Sequence, residues 1–132
     1  MIILDTTVWI EYLKNNKNFY SQIKEFLEKR EILAIECVFG ELLQGVKNKS
    51  EQEIINSFWK YLPKENYENI ILEAGEYSSK NRLIDQGVGL LDAIILVHAI
   101  KGNNQIWTLD KNFLRVIPVE LRYKECPNIV YL

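Results

Sequence analysis

MIILDTTVWI, residues 1–10, is the stretch on which the reading of this chain turns. Ile2, Ile3 and Leu4 follow one another without polar alternation, the pattern of a strand buried on both faces in a parallel sheet. Asp5, Thr6 and Thr7 have N-cap character, and Val8, Trp9, Tyr12 and Leu13 then recur at i, i+1, i+4 and i+5, which predicts a short helix. A strand that enters a helix through an acid puts that acid at its carboxyl end. Open parallel sheets bind their ligands outside those ends, where the strand order reverses.

The same alternation continues outward. Phe19, Ile23, Phe26 and Leu27 mark a second amphipathic helix, and 32–35 a second apolar strand. Val38, Leu42 and Gly45 recur at helical spacing, Ile54, Ile55, Phe58 and Trp59 continue in another helix behind the polar stretch 47–53, and a strand is expected near 61–63. Tyr67, Ile70, Ile71, Ala74, Tyr77 and Ser78 share one face of a long periodic segment that runs to Gly87-Val88-Gly89. Residues 91–100 are apolar nearly all round and read as a buried helix, 105–109 as a strand, Asp110 as the start of a short helix through Phe113 and Leu114, and 129–132 as a final strand. The expectation is a single domain over 1–132, an α/β fold: a three-layer α/β/α sandwich around a mainly parallel sheet of four or five strands.

Composition narrows the function. The 132 residues, 48% hydrophobic and 26% charged, suit one domain with one core. Sixteen Lys and Arg against eighteen Asp and Glu leave a net charge of -2, so any nucleic-acid contact has to be local. Cys37 and Cys126 lack the spacing of a zinc site or a disulfide framework, and His98 is the only histidine, which excludes a His-rich metal site and fits a satisfied core or helix-end residue. Trp9, Trp59 and Trp107 read as core anchors. Lys47, Lys49, Lys111 and Arg115 either contact phosphate or form a solvated face. The apolar stretch 88–100 contains Asp92 and falls short of the roughly 18–20 residues a membrane span needs. With no basic leader pattern visible, the cytoplasm is the expected compartment. There is no P-loop or GxGxxG stretch.

Four acids stand out. Asp5 and Asp110 end strands, Asp92 opens the apolar helix, and each of the three could be a helix cap and nothing more. Glu41 shares a helical face with Val38, Leu42 and Gly45, so its carboxylate has to be paired, protonated or coordinated, or to snorkel at the edge of the stripe. The topology brings the four together. Carboxylates about 6 Å apart repel by about 3 kcal/mol per pair at an effective dielectric of ~20, so a cluster without Lys or Arg calls for metal cations. All-oxygen ligation selects Mg²⁺ or Mn²⁺, and such ions suit phosphodiester hydrolysis.

The chain resembles the PIN-domain ribonucleases, and among them the VapC-type toxins of toxin–antitoxin pairs. Asp5-Thr6-Thr7-Val8-Trp9-Ile10 is similar to the family's opening motif, Glu41-Leu42-Leu43-Gln44-Gly45 to its second, Leu91-Asp92-Ala93-Ile94-Ile95 with Ala99 to its third-acid helix, and Thr108-Leu109-Asp110-Lys111-Asn112-Phe113 to its fourth. The resemblance implies metal ligation by Asp5, Glu41, Asp92 and Asp110, with a hydroxyl at Thr108, and at Thr7 as well, positioning metal, water or RNA. It implies catalysis by these acids with Thr108, an RNA substrate, a homodimer, and a small antitoxin that inserts an Arg into the acidic site. On that reading Trp9, Tyr12, Phe19 and Tyr20 offer an apolar groove on the early helices for a partner helix. Two positions depart from the family pattern: Asn112 stands where some members have a further acid, and Leu96-Val97 where paired alanines are common.

Rival readings lack their residues. An aspartate-nucleophile phosphatase needs a second Asp where Thr7 stands, and a receiver domain needs adjacent acids where Asp5-Thr6 stands. A housekeeping RNA-processing nuclease and a non-catalytic binding module on the same fold remain the alternatives, and retention of all four acids argues against the second.

Overall fold

The computed structural model describes residues 1–124, so the strand expected at 129–132 lies outside the described residues. Strand β1 (Ile2–Leu4) leads into α1 (Thr6–Leu13) and α2 (Lys17–Glu28). The chain then continues through α3 (Glu36–Gln44), α4 (Lys49–Tyr61), α5 (Ile70–Lys80), α6 (Leu90–Gly102), β2 (Gln105–Trp107) and α7 (Lys111–Val116). Strands β1 and β2 pair in parallel, Ile3 opposite Ile106.

The architecture is mostly helical α/β, and the sheet is smaller than the sequence predicts. Among the described residues two strands form, flanked by single parallel bridges, Ile2 to Ile32 on the far side of β1 and Ile106 to Arg122 beside β2. The cause lies in the lengths. Residues 32–35 run beside β1, with Leu33 N donating to Ile2 O, but the chain enters α3 at Glu36, and the Ala34 amide turns outward to the Pro63 carbonyl. The strand expected near 61–63 is the end of α4 followed by that one edge contact. Strand β2 stops at Trp107 because the Leu109 amide donates to the Thr7 hydroxyl rather than continuing the ladder.

These short strands still set the order that matters. The 31–33 segment bonds to one side of β1 and β2 to the other, so the chain first steps away from β1 in one direction and later returns in the opposite one. The reversal falls between β1 and β2, and the crevice of the fold opens at their carboxyl ends.

Helix α6 carries seven consecutive buried residues, Ala93 through Ala99, as its all-round apolarity predicts, and it packs along α5 and against β2 and α3. Leu96 and Val97 fit within that core. Helix α5 is shorter than the periodic segment implied. Asn69 takes a left-handed φ of 60°, the helix starts after it, and Tyr67 falls in the preceding loop while Ile71 faces solvent. Gly87 turns the chain toward α6 with φ +80°, a backbone conformation that favours glycine, with the end of the Asn112 side chain against it.

Trp9 packs edge-on against Tyr12 and Phe39 and against Phe58, filling the space where α1 meets α3 and α4, and Phe19 packs on Trp107. Trp9, Tyr12 and Phe19 are therefore core, and the groove expected from them on the early helices does not exist in that form. Phe113 is fully buried. Phe113→Ala is expected to cost about 3–5 kcal/mol in urea unfolding, whereas Ile71→Ala on the exposed face of α5 should stay within about 0.5 kcal/mol of the parent.

Candidate active site

Asp5 lies where β1 ends, its amide bonded to the Trp107 carbonyl across the sheet at 3.2 Å. It caps α1. Oδ1 accepts from the Val8 amide at 3.2 Å and from the Thr7 hydroxyl at 2.5 Å, and Oδ2 accepts from the Thr108 hydroxyl. Thr108 in turn accepts from the Asp110 amide at 3.0 Å, and Thr7 from the Leu109 amide at 3.1 Å. Two hydroxyls thus lace the carboxyl ends of β1 and β2 together through one carboxylate. Asp110 caps α7, accepting from the amides of Asn112 at 2.9 Å and Phe113 at 3.3 Å.

Capping is a true part of the account for Asp5 and Asp110, but it does not extend to Asp92. Gly89 is the N-cap of α6 and makes no side-chain bond, and Asp92 stands in the first turn without capping it. Glu41, half-buried on α3, accepts from the Thr6 hydroxyl at 2.7 Å, a contact the sequence reading missed. Its signal was the hydroxyl directly after Asp5: the first helical residue of α1 faces the neighbouring helix, while the second faces the strand end.

The four acids feel one another. The Asp92 carboxyl is pushed up to about 7, first by burial and then by the charges of Asp5, Asp110 and Glu41. Asp5 is also raised, chiefly by burial, against the lowering effect of its bonds from Thr108, Thr7 and Val8. Among the described residues none of the four has an ion-pair partner. Of the four residues expected from the sequence, Asp5, Glu41, Asp92 and Asp110, Asp92 feels the charges of the other three and Asp5 that of Asp110. They do not form a closed cage, since no three Asp, Glu, His or Cys side chains among the described residues are grouped tightly enough to hold a metal ion.

The donor set suits a hard divalent cation: four carboxylates and no cationic side chain paired with them. Cys37 stands near Glu41 and Asp92, and burial, with the charge of Glu41, pushes its thiol up to about 11. It stays protonated and adds no soft thiolate to the set. Asn112, in place of a further acid, turns its side chain toward Gly87. Lys47, Lys49, Lys111 and Arg115 are all exposed. His98 is buried as expected but not satisfied, because its Nδ1 has no hydrogen-bond partner. Among the described residues no helix is long and apolar enough to cross a membrane.

The carboxyl end of β1, at the reversal of the sheet, carries Asp5, and Asp92 lies within reach of its charge. The chain belongs to the PIN domain family, whose pattern it matches over residues 2–117. PIN domains are usually metal-dependent nucleases and generally bind divalent metals. A comparison with curated proteins finds no match to this chain.

A raised carboxyl has a definite linkage sign. In the folded state Asp92 holds its proton above the unperturbed value of 3.8, so its contribution to stability is full below that pH and is lost as pH rises through about 7. In EDTA, the melting temperature should fall over this range more steeply for the parent than for Asp92→Asn. Parallel curves for the two proteins would remove Asp92 from the coupled set.

Proposed function

We propose that the protein is an endoribonuclease dependent on Mg²⁺ or Mn²⁺, built as a PIN-type sandwich and acting in the cytoplasm as the toxin of a type II toxin–antitoxin pair. The observation that carries this reading is Asp92, whose carboxyl feels the charges of Asp5, Asp110 and Glu41 beside the switch point between β1 and β2, with no cation paired to any of the four among the described residues.

On this reading Asp5, Glu41, Asp92 and Asp110 hold the metal. A divalent ion bound there supplies a water of lowered pKa and a positive charge for the leaving oxygen. The chain's own residues prepare the place. Thr108 and Thr7 spend their hydroxyl protons on this side of the site, fixing the Asp5 carboxylate, and Thr108 also fixes the Asp110 amide. Thr6 fixes Glu41. Asp92 holds a proton near neutrality and releases it as metal binds, so affinity should weaken below about pH 7.

The antitoxin reading rests on resemblance and on one surface. A groove of about 390 Å³ between α1, α3 and α4 is lined by Ile10, Leu13, Leu42, Val46 and Ile54 and reaches Glu41. A partner helix laid in it would end beside the acids, where an Arg fork can bridge carboxylates in place of metal charge. Exposed Ile71, Leu72, Ile84 and Leu90 support pairing with a second copy.

Incubation of the purified protein with total RNA should give new ends with Mg²⁺ or Mn²⁺ and none in EDTA. Asp5→Asn should abolish cleavage. Thr108→Val should fold and lose about 10–100-fold in activity, as for a residue that orients metal ligands. Because the Thr108 bond holds Asp5 down, the acid limb of the variant's pH profile should move to higher pH. Full activity of Thr108→Val at every pH would retire the positioning role. Expression alone should arrest growth, and co-expression with the small open reading frame beside the gene should restore it. Normal growth with active, metal-binding protein favours the housekeeping nuclease.

A further inference from the structure

A second cavity, of about 330 Å³, opens between α3, the end of α4, the 62–69 loop and α6. Its size falls at the lower end of the ~300–1,000 Å³ typical of ligand pockets. Ile35, Ile70 and Ile94 give it apolar walls, and Trp59 and Tyr67, both half-buried, give it aromatic ones. Lys64 brings a positive charge to 4.7 Å from the centre of the Trp59 ring.

The polar groups here are few and oddly placed. Glu65 accepts from the Tyr67 hydroxyl at 2.6 Å through one oxygen and has no ion-pair partner among the described residues. The end of its side chain lies 2.6 Å from where a Cβ on Gly102 would stand, beside the Asn104 amide. His98 lines the same cavity, is 6% exposed, packs edge-on to Tyr67, and leaves Nδ1 unpartnered. An unpaired buried ring nitrogen is uncommon. Burial also lowers the His98 imidazole, keeping it neutral, with one nitrogen able to donate and the other to accept.

We propose that this cavity is a base subsite that takes an unstacked guanine of single-stranded RNA, with Glu65 and His98 reading its edge and Trp59 and Tyr67 flanking its ring. The proposal rests on the nuclease reading. Single-stranded RNA is read by splaying bases onto aromatic side chains and bonding their edges. Among the four bases, guanine alone presents two adjacent N–H donors on its pairing edge, the match for a carboxylate, beside a carbonyl that takes a donor from a neutral imidazole. Adenine, cytosine and uracil each put an acceptor against at least one carboxylate oxygen. Cys37 connects the two sites: it lines this cavity and stands within the fields of Glu41 and Asp92.

The sole histidine makes the test direct. Guanosine, adenosine, cytidine and uridine are titrated into the EDTA-treated protein while the ring signals of His98 and the Trp59 indole are followed by NMR. Guanosine should shift both and saturate, with the other nucleosides at least about tenfold weaker, and Glu65→Gln should lose that tenfold preference. In Mg²⁺, mapped cleavage ends should stand at a fixed offset from G, and the bias should decay toward none in Glu65→Gln. Cleavage without G bias in the parent, or guanosine binding no tighter than uridine, overturns the subsite and leaves the nuclease reading standing. Guanosine binding that Glu65→Gln weakens, in a protein that cuts no RNA, keeps the subsite and overturns the nuclease reading.

Discussion

The Asp5 carboxylate is the constraint around which the rest is arranged. A charge with 3% of its residue exposed is costly to bury, and here it is offset by three donors: a helix amide and two hydroxyls, one of them 103 residues away along the chain. Each donor also has a structural duty. The Val8 amide is an otherwise orphaned group at the start of α1, and Thr7 and Thr108 each pass a bond onward to the backbone that follows β2. The strand ends, the first turn of α1 and the approach to α7 are thus held in one register by a single carboxylate, both of whose oxygens accept.

Asp92 shows the same economy from the other side. The N-terminal turn of α6 favours a negative side chain through the helix dipole, yet its carboxyl rises to about 7. Burial and three like charges therefore outweigh the dipole. Helix α6 is rigidly seated, with Ala93 through Ala99 all buried, which holds the Asp92 backbone beside the other acids. Relief has to come from a proton, a cation or a partner's guanidinium.

Legibility followed chemistry more closely than geometry. The N-terminal strand, its acid and the helix after it were readable because an apolar run broken by Asp-Thr-Thr has few other meanings, and α6 because apolarity on all sides has only a buried solution. The sheet was overcounted because apolar runs such as 32–35 look alike whether they make a ladder or one bridge, and only the position of the next helix decides. Tyr12 and Phe19 looked like part of a surface stripe because periodicity marks a face without saying what covers it, whereas Trp9 is the core anchor the sequence suggested. Phe39 and Phe58, which cover Trp9, come from helices whose placement is tertiary. Thr6 escaped for a related reason, since its bond to Glu41 crosses 35 residues. His98 was taken as satisfied, and no local pattern reports an unpaired nitrogen.

Charge orders the events at such a site. A crevice of four carboxylates in a chain of net charge -2 repels a phosphate backbone, and the exposed Lys47, Lys49, Lys111 and Arg115 act through water that salt screens within about 8 Å at physiological ionic strength. A strand that approached by charge alone would meet the acids before it met any buried cation. On the proposed reading metal would have to precede RNA, turning the field there from repulsive to attractive for the phosphate, and an antitoxin's arginine would compete with the metal more than with the RNA. If the cavity beside Cys37 holds a base, it adds recognition that does not depend on charge, through apolar walls and an edge-reading carboxylate. Affinity for the strand can then survive moderate salt even while the metal-bound phosphate contact weakens.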